Sequence, residues 1–287
     1  TLKALRFILG IFMLFTALQA QSQNFGAGIV LGACQYKGNL SDKSETLTQN
    51  LRFAKGISFT YDLHRTMDFS ASFINTYMQA YDKDADSPDR QKRNLHFRSA
   101  LNELSLCFHF YPVSLFTKKE HQLKPFIKTG IGVFTFNPKA EYQGEWVRLQ
   151  PLHTEGQGMP LSGLNAYSLV DISYPFGLGL EYTPWPFLKI RAEISPRKTY
   201  TDYLDDVSGN YYDLNGIKKY SSDLAAQLAY REVEWNIDNP PAVAGIQRGN
   251  AENNDWYIIH QLSVYYMFGA KKTAIPEAGP PIPAGLW

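Results

Sequence analysis

From Leu188 the chain alternates strictly: Leu188, Ile190, Ala192, Ile194 and Pro196 are apolar, while Lys189, Arg191, Glu193 and Ser195 are charged or polar. A period of two is the mark of a strand with two unlike faces. The same pattern recurs along the chain. It predicts strands at Phe25–Lys37, Leu51–Leu63, Met67–Tyr81, Leu95–Tyr111, Lys124–Asn137, Tyr174–Tyr182, Phe187–Arg197 and Trp256–Phe268. On the first strand Gly26, Gly28 and Gly32 share a face, which leaves room for bulky side chains opposite. On the fourth the apolar positions change parity, from Leu95, Phe97 and Leu101 to Leu104, Leu106, Phe108 and Phe110, and this predicts a bulge near Leu101 to Glu103.

The connections alternate in length. Those at Gly38–Asn50, Asp82–Asn94, Pro138–Ser173 and Lys198–Asp255 are long, those at His64–Thr66 and Thr183–Pro186 are short, and Pro112–Leu123 is intermediate. Eight antiparallel strands with long loops on one rim and short turns on the other are the plan of an outer-membrane β-barrel. Aromatic residues crowd the strand ends (Tyr36, Tyr61, Tyr81, Tyr111, Tyr174, Tyr182, Trp185, Trp256, Phe268), as interfacial girdles require. The fold class expected is therefore all-β, an eight-stranded antiparallel transmembrane barrel in the cell outer membrane, with lipid as its surroundings. By parity Arg52, Asp62, Arg98, Glu103, Lys128, Glu181, Lys189, Arg191 and Glu193 point inward, as an ion-paired network filling the lumen.

Composition sharpens this picture. Aromatics make up 14% of 287 residues, and the formal charge of +1 implies no nucleic acid partner. Lys3 and Arg6 precede an apolar run from Phe7 to Leu18, so residues 1–20 read as a signal peptide, 21–268 as the barrel and 269–287 as a Pro-rich tail. Cys34 and Cys107 lie on strands that are not neighbours, and two free, buried thiols are expected.

Candidate chemistry is sparse. Asp82, Asp84, Asp86 and Asp89 have the spacing of a calcium loop, but Ser87 replaces its glycine and Arg93 its bidentate glutamate. Gly156-Gln157-Gly158 is followed by no helical pattern that would make it a phosphate cradle, and the six histidines lack ligand spacing. Neither a cofactor nor a metal is expected. The stretch after the seventh strand, Thr199-Tyr200-Thr201-Asp202-Tyr203-Leu204-Asp205-Asp206-Val207-Ser208-Gly209-Asn210-Tyr211, is polar and rich in turn formers. It resembles the hallmark segment of the PorG-like outer-membrane barrels associated with the type IX secretion system. Tyr36-Lys37-Gly38-Asn39-Leu40, Asn94-Leu95-His96-Phe97-Arg98 and Glu103-Leu104-Ser105-Leu106 extend the resemblance through most of the mature chain, with Asn39 where the family pattern leads to aspartate.

The resemblance implies a non-enzymatic barrel that anchors the periplasmic ring of that secretion machine, a lipoprotein and its partner, to the outer membrane. Tyr200, Asp202, Tyr203, Asp205, Asp206, Gly209 and Tyr211 are then candidate contact residues. The alternative is a loop-folding device in which aspartates cap turns and tyrosines pack over the rim. Two further functions fit a small barrel. One is a rim enzyme using a Ser/His/Asp set among Asp202, Asp205, His153 and Ser208; the other is a narrow pore.

Overall fold

The computed structural model describes residues 25–42, 44–117, 121–160, 162–232 and 237–269, so the segment read as a signal peptide and the tail beyond 269 lie outside the described residues. Nine strands form: β1 (Phe25–Lys37), β2 (Arg52–His64), β3 (Met67–Tyr81), β4 (His96–Phe110), β5 (Leu123–Tyr142), β6 (Glu145–Arg148), β7 (Val170–Trp185), β8 (Leu188–Thr199) and β9 (Trp256–Met267). All pairings are antiparallel, and eight strands close into a ring through the β4–β5 and β1–β9 contacts. β6 is outside the ring, paired to the end of β5 as a hairpin. A row of paired residues that starts at Ala33 runs through His260, Ile194, Leu178, Ile127 and Phe110 to Met67, the first residue of β3. That stagger is what strand tilt in a closed barrel requires.

Among the described residues four α-helices lie in the connections: α1 (Pro88–Arg93), α2 (Val113–Phe116), α3 (Leu214–Tyr220) and α4 (Asp223–Ala229). The last two were not expected from the sequence, which reads as one long loop there. Side-chain caps nucleate them, because Asp213 accepts from the Gly216 amide at 2.9 Å and Ser222 from the Ala225 amide at 3.1 Å. Their apolar faces, Leu214, Ile217, Ala225, Ala226 and Ala229, pack with Met159, Tyr211, Tyr230 and Val243 into a second core above the barrel.

Outward positions of the ring are apolar and solvent-accessible over its turn-side half, from Leu178 at 67% and Leu106 at 61% to Phe73 at 43%. At the turn rim an aromatic chain runs from Trp185 through Phe187, Tyr266, Phe268 and Phe25 to Phe59, with successive ring centroids 5.4–6.4 Å apart. Two expected girdle residues face inward instead: Tyr36 and Tyr111 are buried and hydrogen-bond to interior carboxylates.

The expected bulge in β4 is absent. Pairing with β3 and with β5 is continuous along the strand, and Phe97, Ser99, Leu101, Glu103, Ser105, Cys107 and His109 all face inward. What changes along the strand is its surroundings. Near the long loops the interior is apolar and the outer wall polar; nearer the turns this is reversed.

Candidate functional site: the lumen and its loop cap

The turn-side half of the lumen is ionic. Arg191 is fully buried, with Nε 2.8 Å from Glu181 and Nη2 2.5 Å from Asp68. The Tyr111 hydroxyl lies between those two carboxylates, 2.5 Å from Asp68 and 2.6 Å from Glu181. Lys189 Nζ reaches Asp62 at 2.6 Å and Glu181 at 3.5 Å, Lys128 bonds Glu193, and His109 Nδ1 is 2.9 Å from Asp68. Glu103 accepts from Ser173 at 2.9 Å and from Tyr257, with Arg197 at 3.4 Å. Buried charge persists only when it is paired in this way. Tyr265 spans the first strand, where a Cβ on Gly28 would sit 2.7 Å from its ring.

Of the predicted lumen residues, Asp62, Glu103, Lys128, Glu181, Lys189, Arg191 and Glu193 belong to this network. Arg98 does not, and its parity reading is corrected: it is exposed on the outer wall, its guanidinium 4.5 Å from the Tyr77 ring centre and 5.8 Å from that of Trp146. Arg52, half-buried at the loop end of β2, donates to the Leu51 carbonyl at 3.1 Å. Arg98 was misread because it lies above the level at which the apolar side of the wall changes, whereas Arg52, paired with the buried Cys34 and next to the outward Phe53, keeps its inward parity without joining the ion pairs.

Above the ions the lumen is plugged. Phe97, Leu101, Phe134, Phe136, Ile74, Met78 and Tyr257 fill it, and Leu204 and Val207 of the long β8–β9 connection join them. An apolar plug over paired charges leaves no continuous path for hydrated ions. In planar bilayers the protein is expected to give no steady single-channel conductance; stable ohmic openings would contradict the plug.

The hallmark segment 199–211 folds over this plug as a cap. Asp205 accepts from the Tyr36 hydroxyl at 2.6 Å and from the Val207 amide at 2.9 Å. Asp206, at positive φ of 67°, accepts from Tyr167 at 2.6 Å and from Thr154. The Tyr203 ring stacks on Tyr167 at 4.5 Å. Gly209 donates its amide to Glu155 at 3.2 Å and accepts from the Arg248 amide at 2.8 Å, and Tyr211 packs edge-on against Tyr230. Asp202 accepts from Asn39 at 3.1 Å. Only Tyr200 of the candidate set is strongly exposed, at 64%, its amide on Asp171. The segment is therefore spent on building the cap.

Arg248 and Glu155, which the sequence reading did not single out, are the cap's ionic core, paired at 2.8 Å. Arg248 also donates to the Asp206 carbonyl at 2.6 Å. Asn39 is explained by its partners. Its amide nitrogen donates to Asp202 at 3.1 Å and to the Val207 carbonyl at 2.9 Å, and an aspartate there would offer those acceptors no donor. The glycine before it is equally constrained, since a Cβ on Gly38 would lie 1.9 Å from Asp255 Oδ1 and 2.1 Å from Tyr36 Oη.

Of the alternative catalytic set, Asp202, Asp205 and Ser208 are buried within the cap, and His153 Nδ1 has no hydrogen-bond partner among the described residues. Asp82 of the acidic run is clamped by Arg90 at 3.1 Å and Arg93 at 2.6 Å, so its charge is already neutralised.

The cap collects carboxylates in a confined space, and this sets its pH response. Burial pushes Asp202 up to about 8, Asp205 to about 7 and Asp206 to about 6; burial and the neighbouring Asp205 and Asp202 raise Asp255 well above the carboxylate range. The folded cap thus holds protons that the unfolded chain releases near pH 4. Its stabilisation is complete below that range and is lost as pH rises through about 6 to 8. Protection of amides across 200–255, taken as the observed exchange rate relative to the intrinsic rate at each pH, is expected to fall severalfold between about pH 5.5 and 8.5, and Asp255→Asn is expected to flatten the response. A wild-type cap equally protected at both ends would contradict this.

Comparison with solved structures gives similarity to Neisserial surface protein A (9% identity, 85% of this chain and 97% of that one, TM-score 0.43). Ail, the attachment invasion locus protein of Yersinia pestis, is similar over 85% and 98% of the two chains (11% identity, TM-score 0.38). Outer Membrane Protein W of E. coli is similar over 85% and 97% (11% identity, TM-score 0.35). No curated protein matches the sequence. Residues 5–155, more than half of the 287, match the domain of unknown function DUF6089, and the chain belongs to that family.

Proposed function

We propose that the protein is a non-enzymatic outer-membrane barrel that anchors a periplasmic assembly. By the resemblance of segment 199–211, that assembly is the ring of the type IX secretion machinery formed by a lipoprotein and its partner. The observation that carries the membrane part is the accessible apolar surface of the ring: large side chains such as Leu178, Leu106 and Ile127 face out while ion pairs fill the interior. That is the inverse of a water-soluble domain. The docking part draws on the turn rim. There α2 exposes Leu115 at 55% and Phe116 at 88%, and β9 ends at the same rim, whereas the hallmark residues are committed to the cap on the other side.

The test is co-purification from native outer membranes. Ring proteins are expected to accompany the wild-type chain, and Leu115→Glu with Phe116→Glu is expected to reduce their recovery severalfold while the barrel stays folded. Absence of the ring proteins from the wild-type sample, or unimpaired secretion after deletion, would contradict the anchoring role.

A further inference from the structure

The outer wall above the apolar belt carries an unusual row. Arg98 on β4 is directly opposite Lys139 on β5, and Lys139 is directly opposite Arg148 on β6. Directly paired residues share a face, so three cations stand side by side on the exterior. Like charges opposite one another, with Cβ atoms about 5 Å apart, destabilise a sheet unless something neutralises them. Among the described residues no carboxylate pairs with any of the three. The hairpin's own acids, Glu141 and Glu145, lie beyond the row at its tip.

The surroundings identify the missing anion. Leu104, exposed at 59%, is the last large apolar residue on the outer face of β4, and Arg98 is six residues further toward the loops. At about 3.3 Å per residue along a strand tilted by about 40°, the row stands roughly 15 Å beyond the belt. A phospholipid headgroup layer is only about 5–8 Å thick, so its phosphates lie too low. Phosphates carried on the saccharide of an outer-leaflet glycolipid reach that height. Between belt and row a polar rung crosses three strands, with the Asn75 amide donating to Asn102 at 2.7 Å and the Asn102 amide to Thr135 at 3.4 Å. The Arg98 guanidinium lies 4.5 Å from the Tyr77 ring centre and 5.8 Å from that of Trp146, so two half-buried aromatic rings stand beside the row.

We propose that Arg98, Lys139 and Arg148 form a site for the phosphorylated saccharide of an outer-leaflet glycolipid. The inference rests on the membrane reading above. Each cation near an anionic surface contributes roughly fivefold in affinity, so removal of all three is expected to weaken retention about a hundredfold.

The full-length chain is folded into phosphatidylcholine vesicles containing a few per cent of bis-phosphorylated lipid A bearing core saccharide. Insertion is read by heat-modifiable migration, and bound glycolipid by mass spectrometry of the extracted complex. Wild type is expected to retain the phosphorylated lipid but not its phosphatase-treated form, and R98Q/K139Q/R148Q is expected to lose it while still inserting. An inserted wild-type barrel that retains both lipids equally, or an inserted triple variant that retains as much as wild type, overturns the proposal. Displacement of the lipid by millimolar inorganic phosphate would show a simple anion site and overturn the glycolipid assignment. Failure of the wild-type chain to insert overturns the membrane reading itself, and this inference with it.

Discussion

Arg191→Met is expected to destabilise the barrel by about 3–5 kcal/mol, because it strips the central cation from two buried carboxylates. Asp68 and Glu181 lie 2.5 and 2.8 Å from the guanidinium, and each side chain is only about 2% exposed. Lys189, 3.5 Å from Glu181, and His109, 2.9 Å from Asp68, compensate only in part. The guanidinium also lies 5.1 Å from the Tyr265 ring centre and 5.9 Å from that of Phe126, so packing is lost along with charge. The loop pair Lys37–Glu45, at 3.2 Å and with side chains 25% and 11% exposed, supplies the contrast: Lys37→Ala is expected to cost under about 1 kcal/mol. Urea unfolding of both variants in the same detergent checks this; equal shifts would mean that the lumen network does not hold the ring together.

Leu178→Arg is expected to cost about 2–4 kcal/mol when unfolding is followed in phospholipid vesicles, since it places a charge on the lipid face near mid-depth. Leu178 is 67% exposed, so a water-bathed surface would accept arginine there within about 0.5 kcal/mol. Leu47, 49% exposed in the β1–β2 connection, is the matched control, and Leu47→Arg is expected to be neutral. The ordering of the two variants therefore reports which solvent surrounds β7. Equal tolerance at both sites would remove the membrane from the account.

The barrel was legible wherever the chain crosses the apolar belt, because there each strand obeys one rule, apolar out and polar in. β8 is the clearest case: Leu188, Ile190, Ala192 and Ile194 lie outside and Lys189, Arg191, Glu193 and Arg197 inside. The same rule misled beyond the belt. Above Leu104 the outside is aqueous and the lumen is plugged, so Phe97 and Leu101 turn inward and Arg98 outward without any slip in register. A change of parity within a regular strand marks a change of solvent as readily as a bulge.

Pro138 likewise suggested a strand end. It is an interior position of β5, opposite Ser99, and the strand continues to Tyr142 to pair with β6. The cap was only half visible. Its aspartates and tyrosines stood out, but their partners, Tyr36, Glu155, Tyr167 and Arg248, come from three other segments whose proximity no local pattern encodes. The α3 and α4 helices left a signal that was readable, in the Asp213 and Ser222 caps ahead of Leu214-Asn215-Gly216-Ile217 and Asp223-Leu224-Ala225-Ala226.

The central claim is that lipid bathes the outside of a ring whose inside is ionic and closed. It is tested most directly by nitroxide labels placed singly at Leu106 and Leu178 in a chain whose two native thiols, Cys34 and Cys107, are replaced by serine, with collision rates measured in vesicles. High collision with oxygen and exclusion of a water-soluble nickel chelate at both labels is the predicted result. Free access of nickel to both, in a chain that keeps its barrel without lipid, would contradict it.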